Sequence, residues 1–284
     1  MITKRKLYYS LSPSLRFIVR RLYYFPIDTW NLLTSKRDKS IPPQGMIFIG
    51  SGDYKEISYH YLDVFKEHCN LQPHHRILDV GCGIGRIAYA LTKYINSNGS
   101  YEGFDIVQKG INWCKKHISV DYPNFNFQCI NLKNDLYNSK SETSAKNFKF
   151  PYKENNFDLV ILTSVFTHML PDDVENYLSE IYRVLKPGGK CLVTFFILNE
   201  KSENYMASNP DFTFKNHYDF YSVMDDKLKE GNVAYREDYL LKLFTKTELS
   251  VKEILYGNWS GAPKDKSFDF QDTVILIKDN SCMA

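Results

Sequence analysis

The sequence has no long apolar run, no closely spaced cysteine pair and little net charge. Nowhere do about 18 apolar residues follow one another, so no transmembrane segment is predicted. The basic N-terminus lacks an apolar core followed by a small-residue cleavage site, so no secretory signal is predicted. The chain has 36 Lys and Arg residues against 33 Asp and Glu residues. This excess of positive charge is too small to indicate a nucleic-acid-binding protein.

The six cysteines are scattered singly along the chain. No two of them form a C-x-x-C pair, which argues against a zinc ribbon and against a thioredoxin-type redox motif. Scattered single cysteines are typical of a reducing compartment, so we expect a cytoplasmic protein. The residues are Cys69, Cys82, Cys114, Cys129, Cys191 and Cys282.

The 284 residues have an ordinary globular composition, with 43% hydrophobic and 24% charged residues. This composition excludes a mostly disordered chain, a collagen and a disulfide-framework toxin. Residues 36–45 are polar and contain two adjacent prolines, which is typical of a linker. We therefore predict an N-terminal arm and linker over residues 1–45 and one domain over residues 46–284.

The N-terminal arm is basic and aromatic. Residues 1–34 contain six basic side chains, one acid (Asp28) and seven aromatic residues. This pattern predicts a short basic amphipathic helix that ends before Pro26. Such a helix favours peripheral contact with the inner face of a membrane, or with an anionic acceptor. The alternative is an arm that packs its aromatic side chains on the domain.

Predicted strands alternate with predicted helices from residue 76 onward. Short apolar runs indicate strands, and apolar residues at helical spacing indicate helices. The alternation predicts an α/β fold with a mainly parallel sheet and helices on both faces. The predicted strands are 77–80, 101–105, 125–130, 159–163 and 190–197, and the predicted helices are 54–70, 84–95, 107–118, 173–185 and 236–249.

Two later segments depart from the alternation. Residues 199–235 are polar and rich in Asn, Asp, Tyr and Phe, and an insertion of this length after the fifth strand is typical of a lid or an acceptor-binding element. Residues 251–258 and 272–278 are successive predicted strands, which indicates an antiparallel pair at the sheet edge. Asp172 and Glu175 indicate a capping box at the start of the predicted helix at 173–185, and Pro187-Gly188-Gly189 is expected to end that helix.

A glycine-rich turn lies between the first predicted strand and the next helix. It reads Asp79-Val80-Gly81-Cys82-Gly83-Ile84-Gly85-Arg86. Glycines let the backbone approach a ligand closely, and a helix start offers free N–H groups. Arg86 stands where a dinucleotide-binding motif has its third glycine, and Asp79 would repel a pyrophosphate. Asp79 suits the ammonium group of S-adenosylmethionine (SAM), and Asp105, at the end of the next strand, can accept hydrogen bonds from ribose hydroxyls.

Three segments resemble the SAM-dependent methyltransferases with a Rossmann-like fold. They are this glycine-rich turn, Gly103-Phe104-Asp105, and Arg183-Val184-Leu185-Lys186-Pro187-Gly188-Gly189. The resemblance covers about residues 70–280. It implies a seven-stranded, mainly parallel sheet whose last strand is antiparallel, and a SAM-dependent methyltransferase that releases S-adenosylhomocysteine.

The resemblance also implies a role for each cofactor-binding residue. The glycines would line the methionine end of SAM, with Asp79 near its amino group. Asp105 would hold the ribose, Ile106 would lie against the adenine, and Asn131 would accept a hydrogen bond from the adenine amine. The predicted cofactor-binding set is Asp79, Gly81, Cys82, Gly83, Gly85, Asp105, Ile106, Asn131, Leu132 and Ser164, of which Ser164 would approach the methionine moiety.

A narrower resemblance concerns the acceptor. Four segments are similar to a bacterial methyltransferase subgroup that often occurs with glycan or natural-product biosynthesis. This resemblance implies that the methyl group goes to a hydroxyl of a sugar, a glycan or a small metabolite. The segments are Gly50–Tyr54, Tyr122–Phe125, Ser164–Met169 and Tyr256–Gly261.

His168 is the candidate general base for a hydroxyl acceptor. It follows the fourth strand, at the sheet edge where open α/β proteins bind ligands, and its ordinary pKa of about 6.5 suits proton removal near neutrality. The alternative is a structural histidine bonded to the backbone. His217, Tyr221 and Trp259 are candidate substrate-binding residues, against the alternatives of a solvated lid for the first two and burial for Trp259.

Other functions stay open at this point. A methyltransferase acting on an amine or a protein is disfavoured, because residues 163–166 lack the Asn/Asp-Pro-Pro-Tyr/Phe motif. A non-catalytic SAM-binding scaffold or sensor, and a dehydrogenase, are the remaining alternatives. No metal is expected, since Asp172 and Asp173 are explained as caps and His74-His75 lies far from the expected site.

Overall fold

A twisted seven-stranded sheet forms the centre of the structure, a computed structural model that describes residues 13–34, 38–50, 52–134, 141, 143–208 and 212–280. The strands, in chain order, are β1 (Arg76–Val80), β2 (Ser100–Asp105), β3 (Phe125–Cys129), β4 (Phe157–Leu162), β5 (Leu185–Phe195), β6 (Ile197–Leu198), β7 (Asn216–His217), β8 (Tyr221–Val223), β9 (Val233–Arg236), β10 (Leu249–Leu255) and β11 (Asp272–Lys278). The α-helices are α1 (Pro13–Leu33), α2 (Tyr54–Cys69), α3 (Arg86–Leu91), α4 (Gln108–Cys114), α5 (Pro171–Val184), α6 (Glu200–Ala207) and α7 (Glu237–Lys246).

The order of strands across the large sheet is β3-β2-β1-β4-β5-β11-β10. The first five strands of the chain pair in parallel, and β11 is antiparallel to both of its neighbours, β5 and β10. The predicted α/β fold with an antiparallel last strand is therefore confirmed. The carboxyl ends of β1, β2 and β4 meet at one edge of the sheet, which is where ligands bind in open α/β folds.

Alternate residues of the central strands supply two separate cores. Ile77 packs on one face with α2, α3 and α4, while Leu78 and Val80 pack on the other face with α5 and α7. All three side chains are buried. Because side chains alternate along a strand, a fully apolar run such as Ile77–Leu78 is the signature of a strand covered on both faces.

Several predicted boundaries change in the structure. The predicted helix at 84–95 starts only at Arg86, because Gly85 adopts the left-handed conformation at its N-cap. The predicted helix at 107–118 continues beyond α4 as one π-helical turn, Lys115–Ser119. The N-cap of α2 is Asp53, whose carboxylate accepts hydrogen bonds from the N–H groups of Lys55 and Glu56.

The predicted capping box of α5 is wrong. The helix begins at Pro171, with Leu170 as N-cap and without a capping side chain. Proline fixes a helical φ and needs no N–H partner at the first position, so it starts the helix ahead of the predicted box. Asp172 instead forms an ion pair with Lys146, with Nζ and Oδ2 2.7 Å apart. The helix ends at Val184, and Pro187-Gly188-Gly189 lies within β5 rather than directly behind the helix.

The insertion folds into a second, smaller sheet. Its strand order is β6-β9-β8-β7, with β6 parallel to β9 and the other pairs antiparallel. Phe196, Leu198, Phe214, Ala234 and Trp259 form a core of their own beneath this sheet. The small sheet begins at β6, two residues ahead of the predicted insertion at 199–235.

The N-terminal helix is longer than predicted. It runs through Pro26 instead of ending before it. Pro26 lies on the exposed side of α1, so the Leu22 carbonyl, which loses its N–H partner, is on the solvent side and can be hydrated. Among the described residues, no helix combines the length and the apolar character needed to cross a membrane.

Candidate active site

Three glycines shape the turn after β1. Gly81, Gly83 and Gly85 have φ angles of 78°, 60° and 79°, a conformation that side chains with a Cβ rarely adopt. A Cβ on Gly81 would lie 2.5 Å from Cγ2 of Val165, and one on Gly83 would lie 2.9 Å from Cγ2 of Ile49. Only glycine fits at these positions, and the neighbouring side chains pack tightly against the turn.

Asp79, at the carboxyl end of β1, is a buried carboxylate with one unused oxygen. Its Oδ2 accepts a 2.6 Å hydrogen bond from the hydroxyl of Tyr101, while its Oδ1 has no hydrogen-bond partner among the described residues. Burial raises the pKa of Asp79 to about 7, although the Tyr101 bond acts in the opposite direction. A buried acceptor without a donor is costly, so this oxygen is suited to a ligand that brings an N–H group.

Asp105, at the carboxyl end of β2, ties the glycine turn to the next strand. Its Oδ2 accepts from the N–H of Gly83 at 2.8 Å, and its Oδ1 accepts from the N–H of Val107 at 2.7 Å. Burial raises the pKa of Asp105, and these backbone donors partly offset that effect. A carboxylate has about four lone-pair sites, so both oxygens can still accept hydroxyl donors.

A segment before α2 covers the glycine turn. Ile49 reaches the Gly83 backbone, and the ring of Phe48 lies near Gly110 at the start of α4. The guanidinium of Arg86 approaches Gly50, and its Nη1 is buried without a hydrogen-bond partner among the described residues. Burial lowers the pKa of Arg86. The sequence analysis did not predict that this segment covers the glycine turn. It identified Gly50–Tyr54 only through the resemblance that concerns the acceptor.

The other predicted cofactor residues have mixed environments. Cys82 and Leu132 are buried, Ile106 is partly buried against the core, and Asn131 is exposed. Burial raises the pKa of the Cys82 thiol well above its ordinary value, so the thiol is neutral. The backbone carbonyl of Asn131 accepts a hydrogen bond from Oγ of Ser141 at 3.1 Å.

Ser164 follows β4 and sits in the left-handed conformation, with φ of 57°. Its N–H donates to Oγ1 of Thr194 at 2.8 Å, and its hydroxyl donates to Oε1 of Gln271 at 3.0 Å. Thr194 also donates to that oxygen, at 2.7 Å. Val165, the next residue, packs on Gly81, so the loop after β4 lies directly beside the glycine turn. Gln271 is a site neighbour that the sequence analysis did not identify.

His168 lies in a short 3-10 turn, Phe166–His168, and contacts the insertion. Its Nδ1 is 3.0 Å from the carbonyl oxygen of Glu230. A carbonyl only accepts hydrogen bonds, so Nδ1 carries the proton and, in the neutral ring, Nε2 carries the lone pair. Burial lowers the pKa of His168, and the bond to the Glu230 carbonyl offsets part of that decrease. The ring is therefore neutral at pH 7. Its hydrogen bond to Glu230 also connects the loop after β4 to the insertion.

The three predicted substrate-binding residues are dispersed. His217 lies exposed on β7, with Nδ1 3.0 Å from Oγ of Ser222, and Tyr221 is half-buried on β8. Trp259 is only 1% exposed. Its indole N–H donates to Oδ2 of Asp272 at 2.6 Å, so it belongs to the core beneath the small sheet.

A polar cleft of about 460 Å³ opens between α6, the start of α7 and the β10–β11 connection. Glu237 lies in one wall of the cleft. Its carboxylate accepts a hydrogen bond from the hydroxyl of Tyr256 at 2.6 Å and another from Nδ2 of Asn199 at 2.7 Å. Asp272 lines the inner wall and follows Gln271, the partner of Ser164. We call this feature the polar cleft; its lining also includes Ser202, Tyr205, Ser260, Lys266 and the predicted substrate-binding residue Trp259.

A second groove, of about 550 Å³, lies at the opposite edge of the sheet. It is lined by the end of α7, the start of β10 and Asp279, just beyond β11. Ligands of open α/β folds bind at the carboxyl ends of the parallel strands, so this groove is on the wrong edge for the chemistry of the glycine turn.

Residues 78–193 match the model of a methyltransferase domain family, and this range runs from β1 into β5. It contains the glycine turn, Asp105 and the loop after β4. This match supports the SAM-dependent methyltransferase family as the family of the chain. The resemblance predicted from the glycine-rich turn is thereby confirmed.

Methyltransferases with several different acceptors are similar to this one in sequence. The ubiquinone/menaquinone biosynthesis C-methyltransferase of Wigglesworthia glossinidia brevipalpis is 33% identical over 177 residues, which cover 62% of this chain and 60% of the relative. Phosphoethanolamine N-methyltransferase 3 of Arabidopsis thaliana is 28% identical over 200 residues, covering 66% of this chain and 36% of the relative. The chain thus spans less than two thirds of the length of these curated relatives.

Solved methyltransferase structures share the fold. A SAM-dependent methyltransferase from Clostridium acetobutylicum is 15% identical, with a TM-score of 0.53, over 81% of this chain and 93% of that one. A protein from Pyrococcus horikoshii is 17% identical, with a TM-score of 0.54, over 82% of this chain and 94% of that one. Both share the α/β fold described above.

The residues of this site fit SAM on two observations. The unpartnered Oδ1 of Asp79 would accept a hydrogen bond from the amino group. Asp105 offers acceptors for the ribose hydroxyls at the neighbouring strand end. When bound, SAM supplies an electrophilic methyl group on a sulfonium.

Proposed function

We propose that this protein transfers a methyl group from SAM to a hydroxyl of a sugar, a glycan or a small polyhydroxylated metabolite held in the polar cleft. The observation that carries the proposal is the composition of that cleft. Its volume is in the usual range for ligand sites, and its walls combine a carboxylate, amide and hydroxyl groups with tyrosine rings.

Glu237, Asn199 and Tyr256 form a prearranged polar network in the cleft wall. Each carboxylate oxygen of Glu237 already holds one donor, which fixes the carboxylate and leaves lone pairs for further hydroxyl donors. Tyr205 and Tyr256 have exposed rings, which provide flat apolar surfaces for the C–H face of a sugar. A polyhydroxylated acceptor with an apolar C–H face matches this mixture of hydrogen-bonding groups and rings.

The connection between the cleft and the cofactor site supports the same acceptor position. Asp272 lines the cleft, and the adjacent Gln271 accepts the hydroxyl of Ser164 beside the glycine turn. Consecutive residues are about 3.8 Å apart at Cα, so Asp272 and Gln271 link the wall of the cleft to the loop after β4 through adjacent backbone positions. A hydroxyl entering from the cleft would approach that loop.

His168 is the proposed base of this reaction. A hydroxyl must lose its proton as it attacks, and a neutral imidazole with its lone pair on Nε2 can accept that proton. The Nδ1 bond to the Glu230 carbonyl would hold the ring in this tautomer. The lowered pKa keeps the base unprotonated at neutral pH.

The test is acceptor-dependent transfer from methyl-labelled SAM. The acceptors offered separately are free hexoses, nucleotide sugars, a quinol, phosphoethanolamine and arsenite. Label in a sugar product, in an alkali-stable ether, supports the proposal. Label only in the quinol, the amine or arsenite would overturn it.

A matched pair of tyrosine variants locates the acceptor. Tyr205→Ala removes a ring that lines the cleft, and Tyr218→Ala removes a similarly exposed ring, 37% against 40%, beside Tyr221. We expect the acceptor KM to rise at least about tenfold in the first variant, equivalent to about 1.4 kcal/mol. It should stay unchanged in the second. The reverse result would move the acceptor to the His217–Tyr221 face.

A further inference from the structure

The N-terminal helix α1 presents an apolar stripe to solvent. Leu15, Val19, Leu22, Pro26, Trp30 and Leu33 recur at the spacing of successive helical turns. Leu22, Trp30 and Leu33 are 69%, 61% and 76% exposed. Single exposed apolar side chains are ordinary on protein surfaces, whereas a contiguous stripe over about 30 Å of helix marks an interaction surface.

The opposite side of α1 is attached to the domain by polar contacts. The carboxylate of Asp28 accepts hydrogen bonds from the N–H groups of Gln44 and Gly45, at 2.7 Å and 3.0 Å. Nε of Arg20 donates to the Gln44 carbonyl at 3.3 Å, and Nζ of Lys109 lies 4.0 Å from the ring centre of Phe17. These contacts orient the helix with its apolar side outward, which is the reverse of a helix that packs on a core.

The charge of this surface selects its partner. Arg16, Arg20 and Arg21 lie in α1, and Lys4, Arg5 and Lys6 precede it in the sequence. Asp28, the one acid among residues 1–34, is engaged by two backbone N–H groups on the domain side. Residues 1–34 therefore carry a net charge of +5 within a chain of net charge +3. A second copy seated on the stripe would bring together two N-terminal segments of net charge +5, which disfavours a dimer through this face.

We propose that α1 docks this protein on an anionic phospholipid surface, lying in the plane of the bilayer interface. An exposed apolar and aromatic stripe within a strongly basic segment is the composition of interfacial helices. Basic residues are attracted to an anionic surface, and burial of the stripe adds to this attraction. In this proposal the N-terminal helix binds a phospholipid surface, and this binding is independent of the methyl acceptor.

Tryptophan fluorescence gives a direct readout of docking. Of the three tryptophans, Trp113 and Trp259 are buried and Trp30 is exposed. Vesicles of 70% phosphatidylcholine and 30% phosphatidylglycerol should therefore shift the emission of the full chain to shorter wavelength. Pure phosphatidylcholine vesicles should cause little shift. The Trp30→Phe variant should lose the shift.

Co-sedimentation with the same vesicles tests which residues bind. Leu22→Ser combined with Leu33→Ser should reduce the bound fraction at least fivefold, and so should Arg21→Glu at low salt. Val120→Ser, an equally exposed apolar position outside α1, is the matched control and should bind as the wild type does. All variants should keep their S-adenosylhomocysteine affinity, so failure of this proposal is distinguishable from failure of methyl transfer.

Two results would overturn the proposal. One is a bound fraction and an emission spectrum that anionic vesicles leave unchanged. The other is a dimer in sedimentation velocity that the Leu22→Ser, Leu33→Ser variant dissociates, which would assign the stripe to a second copy of the chain.

Discussion

Tyr101 donates its hydroxyl to the carboxylate of Asp79 across Gly103, over 2.6 Å. Asp79 on β1 is in register with Gly103 on β2, two residues beyond Tyr101. A Cβ on Gly103 would lie 3.0 Å from the Tyr101 ring, so the glycine leaves the space through which the tyrosine reaches the neighbouring strand. One oxygen of the buried carboxylate is thereby satisfied by the fold, and the other remains for a ligand.

Tyr101→Phe should destabilise the protein more at pH 8 than at pH 5.5. The folded pKa of Asp79, about 7, lies above its ordinary 3.8, so the stability that this group contributes is present at low pH and is lost as the pH rises through 7. Without the tyrosine donor, the ionised carboxylate is buried with neither oxygen bonded. We expect a loss of about 1–3 kcal/mol at pH 8, measured by urea unfolding.

Tyr218→Phe is the matched control for that measurement. The Tyr218 hydroxyl also donates to a carboxylate, Oδ1 of Asp226 at 2.7 Å, but this pair is on the surface. We expect less than about 0.5 kcal/mol at either pH. Equal losses for Tyr101→Phe at both pH values would show that Asp79 does not change its charge in this range.

S-adenosylhomocysteine should bind more tightly at pH 7.5 than at pH 6, by up to about tenfold. The product keeps the amino group, which is protonated below its pKa of about 7.7–8.0, and it prefers ionised Asp79. Asp79 ionises as the pH passes its raised pKa, so affinity should rise with pH in this range. Titration calorimetry measures the dissociation constants. Asp79→Asn should bind more weakly and without this pH dependence, whereas a pH-independent wild type would contradict the assigned role of Asp79.

Gly83→Ala should abolish measurable S-adenosylhomocysteine binding at concentrations that saturate the wild type. At φ of 60° an alanine costs about 1–2 kcal/mol, and its Cβ would displace Ile49 from the turn. Gly231→Ala is the control, since its added Cβ would make only an ordinary contact with Leu228 at 3.4 Å. Binding is measured by calorimetry and folding by circular dichroism. A Gly83→Ala protein that binds normally would place the cofactor elsewhere.

The glycine turn could be predicted from the sequence because its parts are contiguous in the chain. Asp79, the three glycines and Asp105 lie within one strand–turn–helix–strand unit, where local rules determine the geometry. The cover by Ile49 and the Ser164–Gln271 bond could not be predicted, because Ser164 and Gln271 are 107 residues apart in the chain. The orientation of α1 could not be predicted either. Asp28 accepts a hydrogen bond from the backbone N–H of Gln44, and a backbone partner leaves no charge pattern in the sequence.

His168→Asn should separate the catalytic role of His168 from its structural role. An asparagine amide can still donate to the Glu230 carbonyl, but it cannot accept a proton near neutral pH. We expect kcat for a hydroxyl acceptor to fall about 10²–10⁴-fold, while the melting temperature changes by only a few degrees. The wild-type loss of activity at low pH should also disappear. A variant that keeps its kcat and pH profile would leave His168 as a structural link to the insertion.

Trp259→Phe should lower stability and leave the acceptor KM unchanged, because Trp259 lines the polar cleft with only 1% of its surface exposed. Asp272 accepts from the Trp259 indole, Ile197 N–H and Gly257 N–H, and burial raises its pKa to about 6 in spite of these donors. The stability that the Asp272 carboxyl contributes is therefore lost as the pH rises through 6. Removing the indole donor should lower the free energy of unfolding by about 1.5–3 kcal/mol, with a larger loss at pH 8 than at pH 5.

Phe214→Leu, in the same core cluster, tests whether this effect is specific to the hydrogen bond. Its ring centre lies 5.6 Å from that of Trp259, and the substitution removes packing without removing a donor to the carboxylate. Its cost in urea unfolding should therefore be the same at pH 5 and pH 8. If Trp259→Phe instead raises the acceptor KM with no pH-dependent loss of stability, the indole is part of the acceptor site and the buried bond to Asp272 is incidental.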